Sequence, residues 1–153
     1  MNRFRDTVTI NVPLPADEAL PLFTARGELR WVEGWDPEFP AGEPSEETEG
    51  TVFVTSAGGR PSYWVVAARD ADSVRYARTT PGFSAGTVEV RVRRSDNRST
   101  QVDVTYDLTA LTPEGAAELD RFADRYEQHI GGWEAAIETA LRTRAGPRPG
   151  GQF

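Results

Sequence analysis

Apolar and polar residues alternate along most of the chain between residues 4 and 110. The clearest case is the segment 87–94, in which three valines alternate with charged side chains. A two-residue period is typical of β-strands that bury one face. The pattern predicts strands over residues 4–12, 51–56, 62–69, 74–79, 87–94 and 100–110. Because turn-forming residues such as Gly58-Gly59 separate consecutive strands, we expect an antiparallel meander with one buried face.

The pattern changes after residue 110, where apolar side chains recur at steps of three and four residues. Thr112-Pro113 is a favourable helix start, because the hydroxyl can cap the first turn and proline fits the first helical position. The apolar positions are Leu119, Phe122, Ala123, Tyr126, Ile130, Trp133, Ile137 and Leu141. At about 100° per residue they form one stripe, which predicts a single long amphipathic helix ending near Ala145-Gly146-Pro147.

Residues 20–39, here termed the covering segment, follow neither period. The segment contains two of the four tryptophans, Trp31 and Trp35, and is interrupted by two glycines and two prolines. We expect short helices over residues 16–24 and 26–31 that fold over an apolar interior.

The composition bounds the size of the protein and excludes several kinds of site. With 153 residues, the chain is long enough for one domain, which we expect over residues 1–143, followed by a disordered tail over residues 144–153. It has no cysteine, no lysine and one histidine, which argues against thiolate, Schiff-base and multi-histidine metal sites. We therefore expect neither a metal nor a cofactor.

Charge and hydropathy narrow the partners and the compartment. A net charge of −7 without a basic stripe argues against nucleic acid as a partner. No stretch approaches the ~18 apolar residues of a membrane span, and residues 1–12 lack the apolar run of a secretion signal. We expect a cytoplasmic protein that is a monomer or a homodimer.

Three motifs accompany this order of elements. They are Ala19-Leu20-Pro21-Leu22-Phe23-Thr24, Arg30-Trp31-Val32-Glu33-Gly34-Trp35-Asp36-Pro37, and Leu111-Thr112-Pro113-Glu114-Gly115 leading to Trp133-Glu134-Ala135-Ala136. With them, residues 3–142 resemble the START/Bet v-type (SRPBCC) superfamily, in its polyketide cyclase/dehydrase and lipid-transport group, and uncharacterised bacterial members in particular. The resemblance implies an α+β helix-grip fold, in which a curved antiparallel sheet wraps a long C-terminal helix and two short helices follow the first strand. It also implies a mostly apolar cavity between sheet and helix.

Aromatic side chains near the implied cavity are the candidates for ligand binding. They are Trp35, Phe53, Tyr76, Tyr106, Phe122, Tyr126 and Trp133. For the strand tyrosines and for both tryptophans of the covering segment, packing in the core is the alternative to lining the cavity. We expect Trp31 to pack in the core and Trp35 to lie nearer the cavity mouth.

Two polar residues are candidates for chemistry in such a cavity. His129 is the candidate general acid or base because the ordinary pKa of histidine lies near neutrality. The alternative is a histidine at the border of the apolar stripe with one edge in water. Arg78 shares a strand face with Val74 and Tyr76, so it could bind a ligand carboxylate, but we expect it to reach solvent from the strand end.

The implied cavity and the missing catalytic groups favour binding of a small hydrophobic molecule, such as a lipid, a polyketide or an aromatic metabolite. The alternative is an enzyme of the polyketide cyclase/aromatase type that uses the same cavity, since such chemistry needs few special groups. An interaction module is a third possibility, but no exposed motif favours it. Whether the chain is an enzyme stays open at this point.

Overall fold

The computed structural model describes residues 1–42 and 48–145, which form a six-stranded antiparallel sheet, a long helix and short helical turns. The strands are β1 (Arg3–Val12), β2 (Val52–Ala57), β3 (Arg60–Arg69), β4 (Ser73–Thr80), β5 (Ser84–Ser95) and β6 (Thr100–Ala110). The helices are the single turn α1 (Ala16–Ala19) and the long α2 (Pro113–Ala145), and 3₁₀ turns span Leu20–Phe23 and Gly27–Arg30. The α+β class, the antiparallel strands and the long C-terminal helix predicted from the sequence are confirmed.

The sheet places the first and last strands side by side. Its spatial order is β1-β6-β5-β4-β3-β2. The β2–β3 hairpin turns at Gly58 and Gly59, whose φ angles of 60° and 78° suit a turn that needs two residues in the left-handed region. Register shifts between Val66 and Ala68 and between Val92 and Arg94 mark bulges, which bend a sheet and increase its twist.

Helix α2 packs most extensively against β1 and β6, and reaches β3 near its start through the ion pair of Glu118 with Arg60. Phe4 of β1 meets Phe122 and Tyr126 edge-on, with ring centroids 5.5 and 5.1 Å apart. The Tyr126 hydroxyl donates a hydrogen bond of 2.7 Å to the Val104 carbonyl of β6. These contacts fix the long helix to one side of the sheet.

The two ends of α2 differ in how far the sequence predicts them. At the start, Thr112 Oγ1 accepts a hydrogen bond of 2.9 Å from the Gly115 amide, as a capping hydroxyl does. At the other end, α2 includes residues 144 and 145 of the predicted tail, and residues 146–153 lie outside the described residues. The domain boundary at residue 143 stays a prediction.

In the described part of the chain, no helix is long and apolar enough to cross a membrane.

The covering segment closes the part of the concave face that α2 leaves open. Three of its carbonyls accept hydrogen bonds from aromatic side chains, namely Trp31 Nε1 to Leu22 at 2.8 Å, Trp35 Nε1 to Ala25 at 2.7 Å and Tyr76 OH to Phe23 at 3.0 Å. Because the end of a short helical turn leaves carbonyls without partners, these bonds satisfy them and fasten the segment to itself and to β4. A Cβ at Gly27 would lie 1.9 Å from the Pro21 carbonyl oxygen, so only glycine lets the second turn pack so closely on the first.

Candidate functional site

A cavity of about 390 Å³ lies between the covering segment, the concave face of the sheet and α2. Aromatic side chains provide much of its wall, namely Phe23, Trp35, Phe53, Trp64, Tyr76, Tyr106 and Trp133. The Phe53 and Trp64 rings stack at 5.5 Å with an interplanar angle of 8°, and Tyr76 meets both edge-on. Such ring contacts restrict the side chains and give this side of the cavity a defined shape.

Five of the seven aromatic residues predicted to bind a ligand lie in this wall, namely Trp35, Phe53, Tyr76, Tyr106 and Trp133. The structure places the other two elsewhere. Tyr126 is only 1% exposed and packs between Phe4 and Tyr106, because that side of α2 faces β1 and β6. Phe122 is half-buried and borders a second cavity of about 220 Å³, closer to the start of α2.

The two tryptophans of the covering segment occupy different positions. Trp31 is 9% exposed and its ring contacts those of Phe23 and Trp133, at 5.8 and 5.3 Å. Trp35 is half-buried, lines the cavity and lies 6.0 Å from the Trp64 ring. Trp31 therefore packs behind the wall, whereas Trp35 forms part of it next to the exposed rim.

His129 lies at the rim of the cavity, with its ring edge-on to Phe122 and Trp133 at 6.1 and 5.8 Å. Partial burial lowers the pKa of His129, and the positive charge of Arg125 lowers it further. The imidazole is therefore mostly neutral at pH 7, and a neutral imidazole can accept a proton from a ligand.

No sequence pattern singled out Glu28, yet its carboxyl faces the same cavity from the second 3₁₀ turn. It has no hydrogen-bond or ion-pair partner among the described residues, and burial raises its pKa well above the usual range. A carboxyl in this state stays protonated to a higher pH and can donate a hydrogen bond. One sequence signal could have found it. Residues three positions apart share a face of a 3₁₀ turn. Glu28 lies three positions after Ala25 and three before Trp31, both of which are buried, so this spacing places it on the inward face.

Tyr106 lies between these polar groups and the packed side of the interior. It is 7% exposed, and burial raises its pKa to about 12, so the hydroxyl is neutral at physiological pH. The charge of Arg78 lowers this pKa and that of Glu28 raises it, so Tyr106 lies within electrostatic range of both. Its hydroxyl has no hydrogen-bond partner in the described part of the chain.

The sequence predicted that Arg78 would reach solvent from the end of a strand, and this prediction is wrong. Strand β4 continues to Thr80, so Arg78 lies inside the sheet, between Trp64 of β3 and Gly86 of β5. It is half-buried and borders both cavities, and its guanidinium carbon lies 5.5 Å from the centre of the Trp64 ring. The inward face that it shares with Tyr76 follows from strand alternation.

Comparison with solved structures identifies the architecture, whereas no protein-family model and no curated protein matches the chain. Norcoclaurine synthase from Thalictrum flavum superposes with a TM-score of 0.62 at 12% identity, over 95% of each chain. The Zhui aromatase/cyclase from Streptomyces sp. R1128 has a TM-score of 0.62 at 19% identity, over 99% of each chain. A Thermobifida fusca protein solved by NMR has a TM-score of 0.57 at 23% identity, over 94% of this chain and 93% of that one.

The chain has the helix-grip fold. The resemblance suggested by the sequence motifs is thus confirmed at the level of the fold. The superpositions establish the architecture. Because the sequences are only 12–23% identical, the ligand and any reaction have to be inferred from the cavity itself.

The helix-grip cavity brings together polar groups from three kinds of element. Glu28 comes from the covering segment, His129 from α2, and Arg78 and Tyr106 from strands. In apolar surroundings, hydrogen bonds and charges act more strongly than in water. The arrangement can therefore hold an apolar ligand body and orient its polar groups.

Proposed function

We propose that this protein binds a compact, largely aromatic molecule in the 390 Å³ cavity. The observation that carries the proposal is a cavity wall to which seven aromatic side chains contribute, several of them in ring–ring contact, together with polar groups such as Glu28 and Arg78. This combination is typical of small-molecule sites. Because such sites span roughly 300–1,000 Å³, the small volume favours a ligand of a few fused rings over a long-chain lipid.

Filling the cavity from one strand tests the proposal. Val88 of β5 is 4% exposed and lines the cavity, so Val88→Phe should occupy ligand space. Val65→Phe adds the same volume at an exposed position of β3 and is the matched control. Binding of 2-naphthamide would be measured by isothermal titration calorimetry, and native mass spectrometry of the freshly purified protein would detect a co-purified ligand.

We expect 2-naphthamide to bind the unmodified protein and the Val65→Phe variant with similar affinity. Val88→Phe should weaken binding by about tenfold or more, because overpacking a filled site costs on the order of 1–3 kcal/mol. Equal affinity in all three proteins would place binding outside the cavity. No binding to the unmodified protein, together with no co-purified molecule, would contradict the proposal.

A second candidate function is an enzyme of the cyclase/aromatase type that acts on a ligand in the same cavity. It is favoured by the opposite pKa shifts of two groups there, since the pKa of the Glu28 carboxyl is raised and that of the His129 imidazole is lowered. Environments that move two pKa values in opposite directions are typical of acid–base pairs. Two similar structures are named a synthase and an aromatase/cyclase, which supports considering this use of the fold.

The reaction that suits this pair is removal of a proton next to a carbonyl group. A His129 ring nitrogen would accept the proton as the C–H bond breaks, and the Glu28 carboxyl would give its proton to the carbonyl oxygen, leaving a neutral enol. Deuterium incorporation into the methyl group of 2-acetonaphthone in D₂O, followed by NMR, measures this step. His129→Ala and Glu28→Gln should each slow it at least about tenfold, whereas Glu18→Gln on α1 should not. A rate equal to that in protein-free buffer would exclude this function while leaving ligand binding intact.

A further inference from the structure

We propose that the ligand carries a carboxylate, which Arg78 binds at the boundary between the two cavities. This inference rests on the proposed function, because it concerns one end of the same ligand. It adds a chemical class to that ligand: a compact aromatic carboxylate, with its rings in the larger cavity and its anionic group pointing toward the smaller one.

The first observation is the unmatched charge of Arg78. No carboxylate lies within salt-bridge distance of its guanidinium in residues 1–42 and 48–145, and its buried Nε has no hydrogen-bond partner there. A guanidinium is always charged, and a buried N–H without a partner is costly. The Nε is too buried to meet a ligand, but the two terminal guanidinium nitrogens also lack a hydrogen-bond partner in the described residues and are the donors that a ligand can reach.

The orientation of Arg78 suits a planar acceptor. Its guanidinium carbon lies 5.5 Å from the Trp64 ring centre, within cation–π range. Strand pairing on both sides of Arg78 fixes the backbone that carries this fork of N–H groups. A carboxylate matches the fork in shape and can accept two parallel hydrogen bonds, which a single hydroxyl or ether oxygen cannot.

The second observation is the charge around the smaller cavity. Its lining contains four arginines and one glutamate, namely Arg60, Arg78, Arg121, Arg125 and Glu118. Glu118 is engaged by Arg60 and lies 3.9 Å from Arg121. Arg60, Arg121 and Arg125 are exposed, so solvent and salt weaken their charges, but in a chain with a net charge of −7 this local excess of positive charge still favours an anion on the Arg78 side of the larger cavity.

The polar side chains discussed next do not provide a negative charge that would neutralise Arg78. The raised pKa of Glu28 keeps its carboxyl neutral over a wider pH range, and Tyr106 is neutral at physiological pH. Glu33 and Asp36 border the cavity as exposed residues of the covering segment, where solvent and salt screen their charges. The Ser62 and Thr80 hydroxyls beside Arg78 hydrogen-bond to each other at 2.7 Å and are neutral.

The test compares two ligands of almost the same shape. 2-Naphthoate carries the carboxylate, and 2-naphthamide replaces it with a neutral amide. Calorimetric titrations at pH 7 would be carried out with the unmodified protein, Arg78→Gln, Arg78→Lys and the control Arg75→Gln. Arg75 lies on the outer face of the same strand, where it pairs with Glu89 at 3.3 Å. A third probe, 2-naphthyl phosphate, distinguishes a carboxylate subsite from a general anion subsite.

We expect the unmodified protein and Arg75→Gln to bind 2-naphthoate at least about tenfold more tightly than 2-naphthamide, and more tightly than 2-naphthyl phosphate. Arg78→Gln should remove the preference while keeping 2-naphthamide affinity within about threefold, which also shows that the variant is folded. Arg78→Lys should keep part of the preference, because it retains the charge but not the planar fork.

Equal affinity for naphthoate and naphthamide in the unmodified protein would overturn the carboxylate subsite and leave cavity binding intact. A preference that persists in Arg78→Gln would assign the anion to another residue and would also overturn it. Tighter binding of the phosphate would contradict the assignment of a carboxylate. Binding of none of the probes would count against both the subsite and the proposed function.

Discussion

The two halves of the interior contain similar aromatic side chains but use them differently. Where α2 lies on β1 and β6, the rings of Phe4 and Tyr126 touch across the space between helix and sheet and fill it, and Tyr106 packs on Tyr126 from the side of the cavity. Between α2 and strands β2–β5, the rings of Phe53 and Trp64 touch along the wall and enclose a space of about 390 Å³. We refer to these as the filled half and the open half.

The difference shows that aromatic content does not by itself predict a binding site. The two halves differ in what lies over the sheet: α2 packs most extensively on β1 and β6, whereas the covering segment forms part of the cavity wall over the other strands. In the filled half, the Tyr126 hydroxyl donates a hydrogen bond to a backbone carbonyl, whereas in the open half the Glu28 and Arg78 side chains have no hydrogen-bond or ion-pair partner among the described residues. Removing atoms should therefore affect stability in one half and ligand binding in the other.

The largest expected effect is that of Tyr126→Ala in the filled half. It deletes a ring that is 1% exposed and contacts Phe4, Tyr106 and Phe122. We expect the free energy of unfolding, measured with urea, to fall by about 3–5 kcal/mol, as for other large buried rings. The protein that remains folded should bind 2-naphthamide within about threefold of the unmodified affinity. A loss below about 1 kcal/mol would mean that this half is not tightly packed.

The next effect concerns the buried carboxyl of the open half. The pKa of Glu28 is higher in the folded state than in the unfolded chain, so the folded state binds more protons above the ordinary carboxyl pKa of about 4.3. The contribution of Glu28 to the free energy of unfolding is therefore highest at low pH, where its carboxyl is neutral in both states, and it falls as the pH rises through the folded pKa. Each pH unit between the two pKa values removes up to about 1.4 kcal/mol.

Glu28→Gln should remove this dependence. We expect urea unfolding at several pH values to show the variant gaining stability over the unmodified protein as the pH rises above about 4.3. Glu18→Gln, in the first turn of α1, is the control and should not change the slope. Parallel pH profiles for the unmodified protein and Glu28→Gln would contradict the burial of this carboxyl.

The smallest expected effect comes from removing a single hydroxyl group, either from Tyr126 in the filled half or from Tyr106 at the cavity wall. Tyr126→Phe removes the donor to the Val104 carbonyl and should lower the free energy of unfolding by about 1–2 kcal/mol. Tyr106→Phe removes a hydroxyl without a partner in the described residues, so its change should stay below about 0.5 kcal/mol. For ligand affinity we expect the reverse order, with a loss only in Tyr106→Phe. If the same variant showed the larger loss in both the free energy of unfolding and the ligand affinity, the distinction between the halves would be wrong.

Much of the fold could be predicted from the sequence because strand and helix periods are local properties. The strand predicted over residues 100–110 agrees with β6, and the helix start at Pro113 agrees with α2. The hairpin at Gly58-Gly59 follows from turn chemistry alone. These features depend on neighbours within a few positions, which the sequence contains directly.

The site could be predicted only in part, because it depends on how distant elements pack. Alternation favoured an inward face for Tyr106 and left that of Tyr76 open, and the stripe on α2 did not show that Tyr126 faces β1 and β6. Arg78 was misjudged because β4 extends beyond the predicted residue 79 and pairs on both sides. The burial of Glu28 depends on how the covering segment folds over the sheet, which no local period specifies.

The most direct test of the open half is an NMR map of bound 2-naphthamide on ¹⁵N-labelled protein. The four indole N–H signals can be assigned by single Trp→Phe variants. We predict that saturating ligand shifts the signals of Trp35, Trp64 and Trp133, which line the cavity, while the backbone amides of Tyr126 and its neighbours in the filled half shift much less. Shifts confined to exposed residues, or centred on Tyr126, would contradict a binding cavity between the sheet and α2.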